Sequence, residues 1–221
     1  HLLFLCVPPD RIAAADADPS VAAPPAPTPT PPTNKPPVAD DECWLNEAVF
    51  LNVYRKLSAH EQNVAAAVGI TEAYYGRLER RRKDQTPEHR ALRRVCHRFL
   101  KALQLHDVIS ERDAEETAAA FGVRFGHLSR LQEDAARYAG QVASVCGPMG
   151  WGDVETLVTR LQDRITAGAR EEILCLTSIP MIGASRARVL YNAGYRTPEA
   201  IVNLPARKLA TLLESRRGAR G

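Results

Sequence analysis

Arginine is the residue type through which this sequence has most capacity for chemistry, and its placement is uneven. Between Arg77 and Lys101 stand ten cations (Arg77, Arg80, Arg81, Arg82, Lys83, Arg90, Arg93, Arg94, Arg98, Lys101) against Glu79, Asp84 and Glu88. That local +7 compares with a formal charge of +3 for all 221 residues. Such a density attracts phosphates through counterion release, although a solvated helix face would carry the same residues. Arg90, Arg94, Arg98 and Lys101 share one side of a helix whose opposite side holds Leu92 and Phe99.

A second arginine group lies on the segment from Gly126 to Cys146. At about 100° per residue, Leu128, Leu131, Ala135, Ala139, Val142 and Cys146 make a core stripe. Arg130 and Arg137 fall on the other side, about 20° apart, with Gln141 beside them and Tyr138 at the border. A border aromatic next to two guanidiniums is suited to stacking a base while phosphates are held. The plainer use of Tyr138 is to finish the edge of the core with its hydroxyl in water. A third group, Arg186 and Arg188, follows Ile179-Pro180-Met181-Ile182-Gly183, which reads as a hairpin between two helices. Backbone N–H groups at such a helix start bind phosphate. Met181 stands where a glycine is usual, so packing is an equal reading of this hairpin.

Catalytic constellations are absent: there is no GxxxxGK[ST], GxSxG, HExxH or paired-carboxylate motif. Cys6, Cys43, Cys96, Cys146 and Cys175 are scattered without a CxxC pair, which argues against a disulfide framework and points to a reducing compartment. No metal-site spacing is found, so no metal ligand is assigned. The longest apolar run, Leu2 to Val7, is far below a membrane span.

The elements that carry these arginines announce their ends. Ser58 with Glu61 is a capping box opening a helix that Gly69 closes. Thr86-Pro87 starts the next, and Asp113 with Glu116 caps one ended by Gly122. Asp153 opens a helix with Val154, Leu157, Val158, Leu161 and Ile165 inward, stopped by Gly168. Trp44, Ala48, Leu51 and Tyr54/Leu57 recur at helical spacing. A repeat stands out: Ala65-Ala66-Ala67-Val68-Gly69-Ile70 is matched by Ala118-Ala119-Ala120-Phe121-Gly122-Val123, and Arg77-Leu78 and Arg130-Leu131 follow at equal distance. Small alanines, a turn glycine and an apolar plug describe a helix-turn-helix, present twice. Either turn serves as scaffold or as DNA contact. Eleven of the 16 prolines fall in residues 1–40, where Ala, Pro and Thr dominate, and a disordered linker is expected there.

The expected fold is all-α. Residues 1–10 read as the tail of an upstream domain, since a chain beginning at His1 reads as a piece of something longer. Residues 11–40 read as linker, 41–168 as a helical domain with the two turns, and 169–221 as a helix-hairpin-helix domain.

Five stretches resemble one known family. Ser58–Ile70, His106–Ser110 and Phe121–Trp151 are similar to the ratchet domain of superfamily 2 DNA repair helicases, the helicase portion of DNA polymerase theta and its helicase-Q-like relatives. Arg170–Ala193 with Gly194 resembles the final helix-hairpin-helix domain of that family, and His1–Leu5 its segment closing a winged-helix domain. The Pro/Ala linker departs from the family, which makes a short connection there.

The resemblance implies a nuclear DNA repair protein that unwinds DNA 3′ to 5′. RecA-like motor domains using ATP and Mg would lie upstream of His1, and no cofactor is expected in this segment. It implies single-stranded or forked DNA as partner, with Tyr138 matching the family's stacking aromatic and Arg130 or Arg137 its basic companion. Arg186 and Arg188 would grip the emerging strand. Two other classes stay open: a helical adaptor for protein partners, and a sequence-specific regulator reading a groove with Thr71–Arg80 or Arg124–Glu133.

Overall fold

The computed structural model describes residues 2–8, 46–79 and 87–214. The expected linker 11–40, Trp44, Arg80–Lys83 and the Thr86 cap lie outside the described residues. Described in chain order are α1 (Leu2–Cys6), α2 (Glu47–Arg55), α3 (Ala59–Ala67), α4 (Glu72–Glu79), α5 (Pro87–Ile109), α6 (Ala114–Phe121), α7 (Phe125–Cys146) and α8 (Gly152–Ala167). A 3-10 turn at Glu171–Ile173 then leads into α9 (Leu174–Thr177), α10 (Ala184–Asn192), α11 (Pro198–Val202) and α12 (Ala206–Glu214). Among the described residues there is no strand, and the all-α expectation holds.

Local chemistry sets most boundaries. The Ser58 hydroxyl accepts from the Glu61 N–H, and the Glu61 carboxylate accepts from the Ser58 N–H at 2.8 Å, so two orphan donors of α3 are satisfied. Asp113 accepts from the N–H groups of Glu115 and Glu116 to start α6. Gly122 and Gly168 end α6 and α8 in the left-handed conformation. Contrary to expectation, α8 starts one residue before Asp153, and Trp151 stands at its N-cap without a side-chain cap bond.

Three clusters make the core. The first joins Ala102, Leu105 and Ile109 of α5, Leu131, Ala135, Ala139 and Ala143 of α7, and Val158, Leu161 and Ile165 of α8. Alanines at four-residue spacing let α7 and α8 approach closely. An alanine at Gly140 would put its Cβ 2.9 Å from Gln162 Nε2. Gln132 Nε2 donates to the carbonyl of Ile165 at 2.7 Å and so fastens the last turn of α8 to α7. The buried stripe of α7 includes Ala143, with Val142 half-buried at its flank. Val154 and Leu157, expected inward, are 37% and 50% exposed. The buried face of α8 is Val158/Leu161/Ile165, with Leu157 on its flank.

α1 belongs to this cluster. Cys6 and Val7 are fully buried in it, although some forty residues separate them from α2 in the chain. Burial pushes the Cys6 thiol up to about 11, against the nearby charge of Arg98. The second cluster, with Phe50, Ala65, Ile70, Tyr74, Cys96, Phe99, Leu100 and Phe121, unites α2, α3, α4, α5 and α6. The third, with Ile173, Leu176, Ile182, Ala187, Leu190 and Ile201, is confined to the C-terminal helices beyond Gly168.

Candidate nucleic-acid interface

The expected contact residues divide by what their side chains already hold. Arg98 has turned inward: its Nε donates to the carbonyl of Val7 at 2.9 Å and its Nη2 to that of Leu5 at 3.2 Å. The guanidinium also lies 4.7 Å from the Phe4 ring centroid. It satisfies carbonyls at the end of α1, which have no intrahelical partner, and so pins α1 to α5. Arg188 is equally committed. It meets Glu111 through two bonds of 2.6 and 2.7 Å and Glu172 through a third of 2.6 Å. Arg186 donates to the carbonyl of Met181 at 2.6 Å, within its own hairpin.

Glu111 shows how much is invested in that second contact. It takes a positive φ of 63°, uncommon for a side chain of this size. Its carboxylate also accepts from the Arg170 N–H at 3.0 Å. Burial alone would raise this carboxyl, but the hydrogen bonds of Arg188 and Arg170, with their charges, outweigh it and hold it below the ordinary range. The Arg188 guanidinium is correspondingly pushed up by its bonds to Glu111. The group joins the end of α5 to the C-terminal helices.

The remaining candidates face outward. Arg90, Arg130, Arg137 and Gln141 are exposed, and Arg94 and Tyr138 are half-buried. Arg137 pairs with Asp134 at 3.5 Å, both well exposed, so the pair contributes little to stability. Asp134 lies within the Arg130–Arg137–Gln141 stripe itself, at four residues from Arg130, and halves its charge. Sequence reasoning passed over it.

It also gave His97, Arg124 and His127 no phosphate contact, although Arg124–Glu133 was one of two candidate groove-reading helices. Partial burial lowers the affinity of His127 for a proton, and the charges of Lys101, His97 and Arg130 lower it further. These four groups therefore share one electropositive neighbourhood where α5 meets the first turns of α7. Val123, Arg124, Gly126, His127 and Arg130 line an open groove there. With Arg98 turned inward, His97 takes its place in the α5 stripe: residues 90, 94, 97 and 101 recur at three and four residues and so share a face. The clue in the sequence was the i, i+3 spacing of His127 and Arg130.

Among the described residues no group of three or more His, Cys, Asp or Glu is placed to hold a metal ion, and no helix is long and apolar enough to cross a membrane.

An all-helical body with a cationic face at a helix-turn-helix is the class this geometry defines. Residues 35–165 match the family described as the DNA_pol_Q helicase like region helical domain, and the chain belongs to that family. Over 162 residues it is 30% identical to DNA polymerase theta of Mus musculus, covering 73% of this chain and 6% of that protein. Similarity extends to the ATP-dependent DNA helicase Hel308 of Pyrococcus horikoshii, 35% identical over 112 residues, or 50% of this chain and 16% of that protein. Helicase POLQ-like of Homo sapiens is 22% identical along 100% of this chain and 17% of its own length. The chain thus spans only a small part of each relative.

Proposed function

We propose that this chain is the DNA-binding helical module of an ATP-dependent 3′–5′ DNA helicase of the polymerase theta type, acting in DNA repair in the nucleus. The observation that carries the reading is α7: a helix braced along its length by α8, with Arg130, Arg137, Tyr138 and Gln141 on its outer side. A single strand lies along this side, its phosphates held by the arginines and a base stacked on Tyr138. Rigid support matters, because a grip that yields does not convert motor strokes into movement. Arg90 and Arg94 of α5 add phosphate contacts. RecA-like motor domains elsewhere in the full-length protein supply ATP hydrolysis with Mg, and the helices beyond Gly168 act as a helix-hairpin-helix domain on the emerging strand. Arg186 and Arg188 would meet that strand only by giving up the partners they hold here, Met181 and the two glutamates.

The test is the affinity of the chain for a labelled single strand across a salt series, alongside Arg137→Glu/Tyr138→Ala. Binding that weakens steeply with salt and falls about tenfold or more in the variant is expected. Equal binding by both proteins overturns the grip on α7.

A second reading, a protein-docking adaptor, draws on one observation. Val145, Met149, Trp151, Val154 and Leu157 crowd the α7–α8 turn with 37–56% of each exposed. It predicts binding to DNA that is absent or indifferent to salt.

A further inference from the structure

We infer that the junction of α5 with the α6–α7 turn is a second nucleic-acid site, a sequence-independent cradle for the phosphate backbone made by His97 and Lys101 of α5 and Arg124, His127 and Arg130 of α7. The inference rests on the DNA-binding reading above and extends it from Arg130, common to both, to residues about three helical turns along the chain from Arg137 and Tyr138.

Three observations converge on it. The first is charge. Lys101, His97 and Arg130 all act on His127 as cations, and Arg124 lines a groove with His127 and Arg130. Like charges gathered at one place repel one another and weaken the folded state, whereas a phosphate chain turns the same field into attraction.

The second is access. Gly126 lies in the wall of the groove, and an added Cβ there would meet nothing within 4 Å. The Arg124 side chain at the N-cap makes no capping bond. Backbone can therefore be approached as closely as side chains can.

The third is the kind of donor offered. Reading a base edge calls for amides or for guanidiniums set in a groove. Gln132, the amide next along α7, has its Nε2 occupied by the Ile165 and Thr166 carbonyls. What remains at the mouth of the groove is cationic, the kind of group that makes most phosphate contacts.

The histidines give the cradle a property that lysines would not. In the unliganded protein partial burial, with the surrounding cations, keeps His127 below its ordinary value. A phosphate placed among His97, Lys101, Arg124, His127 and Arg130 reverses that field and favours the protonated ring. Binding therefore takes up protons, and affinity rises as the pH is lowered from about 7.5 to about 5.5.

Single-stranded and duplex backbones offer the same phosphates, so the test uses a labelled single strand and a labelled duplex of the same sequence. The intact chain is compared with Lys101→Glu/Arg124→Glu and with Arg160→Glu/Arg207→Glu, which changes net charge equally on exposed positions of α8 and α12. The cradle variant is expected to lose roughly tenfold in affinity, and its salt slope to become shallower by about 1 for each cation removed. The control variant loses far less. In His97→Gln/His127→Gln the gain in affinity at low pH disappears. Loss confined to single strand or to duplex assigns the cradle to that form. Should Lys101→Glu lower the melting temperature, Arg124→Glu alone, at an exposed position, carries the comparison. Cradle and control variants that bind alike, with the pH dependence intact in the histidine variant, overturn the cradle. If Arg137→Glu/Tyr138→Ala still loses single-strand binding in that case, the grip on α7 stands without it. If the unaltered chain binds neither DNA, both readings fall.

Discussion

The two helix-turn-helix units share a signature and a hydrogen-bond pattern, yet the molecule uses them oppositely. In both, the residue after the turn glycine donates back to the first alanine of the run before it: Ile70 N–H to the Ala65 carbonyl and Val123 N–H to the Ala118 carbonyl, each at 2.9 Å. Beyond the turn the units part. The first leads into α4, whose Tyr74 is 1% exposed and whose Tyr75 stacks on Tyr54 with ring centroids 4.8 Å apart. The Tyr75 hydroxyl also accepts from Arg55 Nε at 2.8 Å. The second leads into α7, which starts with an exposed Phe125 and presents Arg124, His127 and Arg130 outward. The residues that follow the turn decide whether the second helix is spent on the core or offered to a ligand.

The largest contrast to test is the plug. Ile70 is fully buried among Phe50, Ala65, Tyr74 and Phe99, whereas Val123 is half-buried beside the groove. Truncating Ile70 to alanine is expected to cost about 2–5 kcal/mol, since lost burial and a cavity add. Val123→Ala should cost about 1 kcal/mol or less, the water already having access. Chemical denaturation of the two variants measures both. Equal costs would mean that the second turn is as much a core element as the first, and would weaken its assignment to a ligand.

A similar opposition separates the arginines, and it shows where the sequence was legible. Caps and turns were readable because their causes lie within four residues: Ser58 with Glu61, Asp113 with its next two N–H groups, Gly122 and Gly168 at positive φ. The core stripe of α7 was readable from periodicity, and so was Arg130 on the other side. The fate of Arg98 and Arg188 was not, because their partners are 91 and 77 residues away, at Val7 and Glu111. Helical spacing reports which face a cation occupies. It carries no information on whether a distant carbonyl or carboxylate arrives at that face. Val154 and Leu157 failed for a related reason: the pattern gives a stripe but not how much of it a neighbouring helix covers.

Glu111 is the place to break the opposition between held and outward-facing arginines. Glu111→Ala keeps a side chain at the same strained φ while removing three charge-assisted bonds, so its effect isolates the contacts. The expected cost is about 2 kcal/mol for holding the C-terminal helices against α5, read as earlier proteolysis between α8 and α10 with the remaining core intact. The pH dependence has a definite sign. The folded carboxyl lies below its ordinary 4.5, so its contribution is complete above that value and is lost as the pH falls through the folded value. Melting of the unaltered protein should therefore weaken below about 4.5 more than melting of Glu111→Ala. Identical acid profiles would remove Glu111 from the joint. A gain in DNA binding by the variant would show that Arg188, once released, returns to the list of DNA contacts.

The smallest difference lies in the turn glycines, and it tests whether the two turns are as alike as their hydrogen bonds. Gly122 has φ +63°, inside the left-handed basin that other residues reach at a cost, and an alanine there would touch Val49 Cγ2 at 3.5 Å, an ordinary contact. Gly69 has φ +93°, beyond that basin, and an alanine would meet nothing within 4 Å. Gly122→Ala should thus lose about 1 kcal/mol, with a little regained from the methyl packed on Val49. Gly69→Ala carries the larger conformational penalty and regains nothing, so it should melt lower by a further few tenths to 1 kcal/mol, on the order of the φ strain itself. The reverse order would mean that the second turn, not the first, is the more tightly constrained. The cradle would then be a rigid site rather than one that adjusts as phosphate enters.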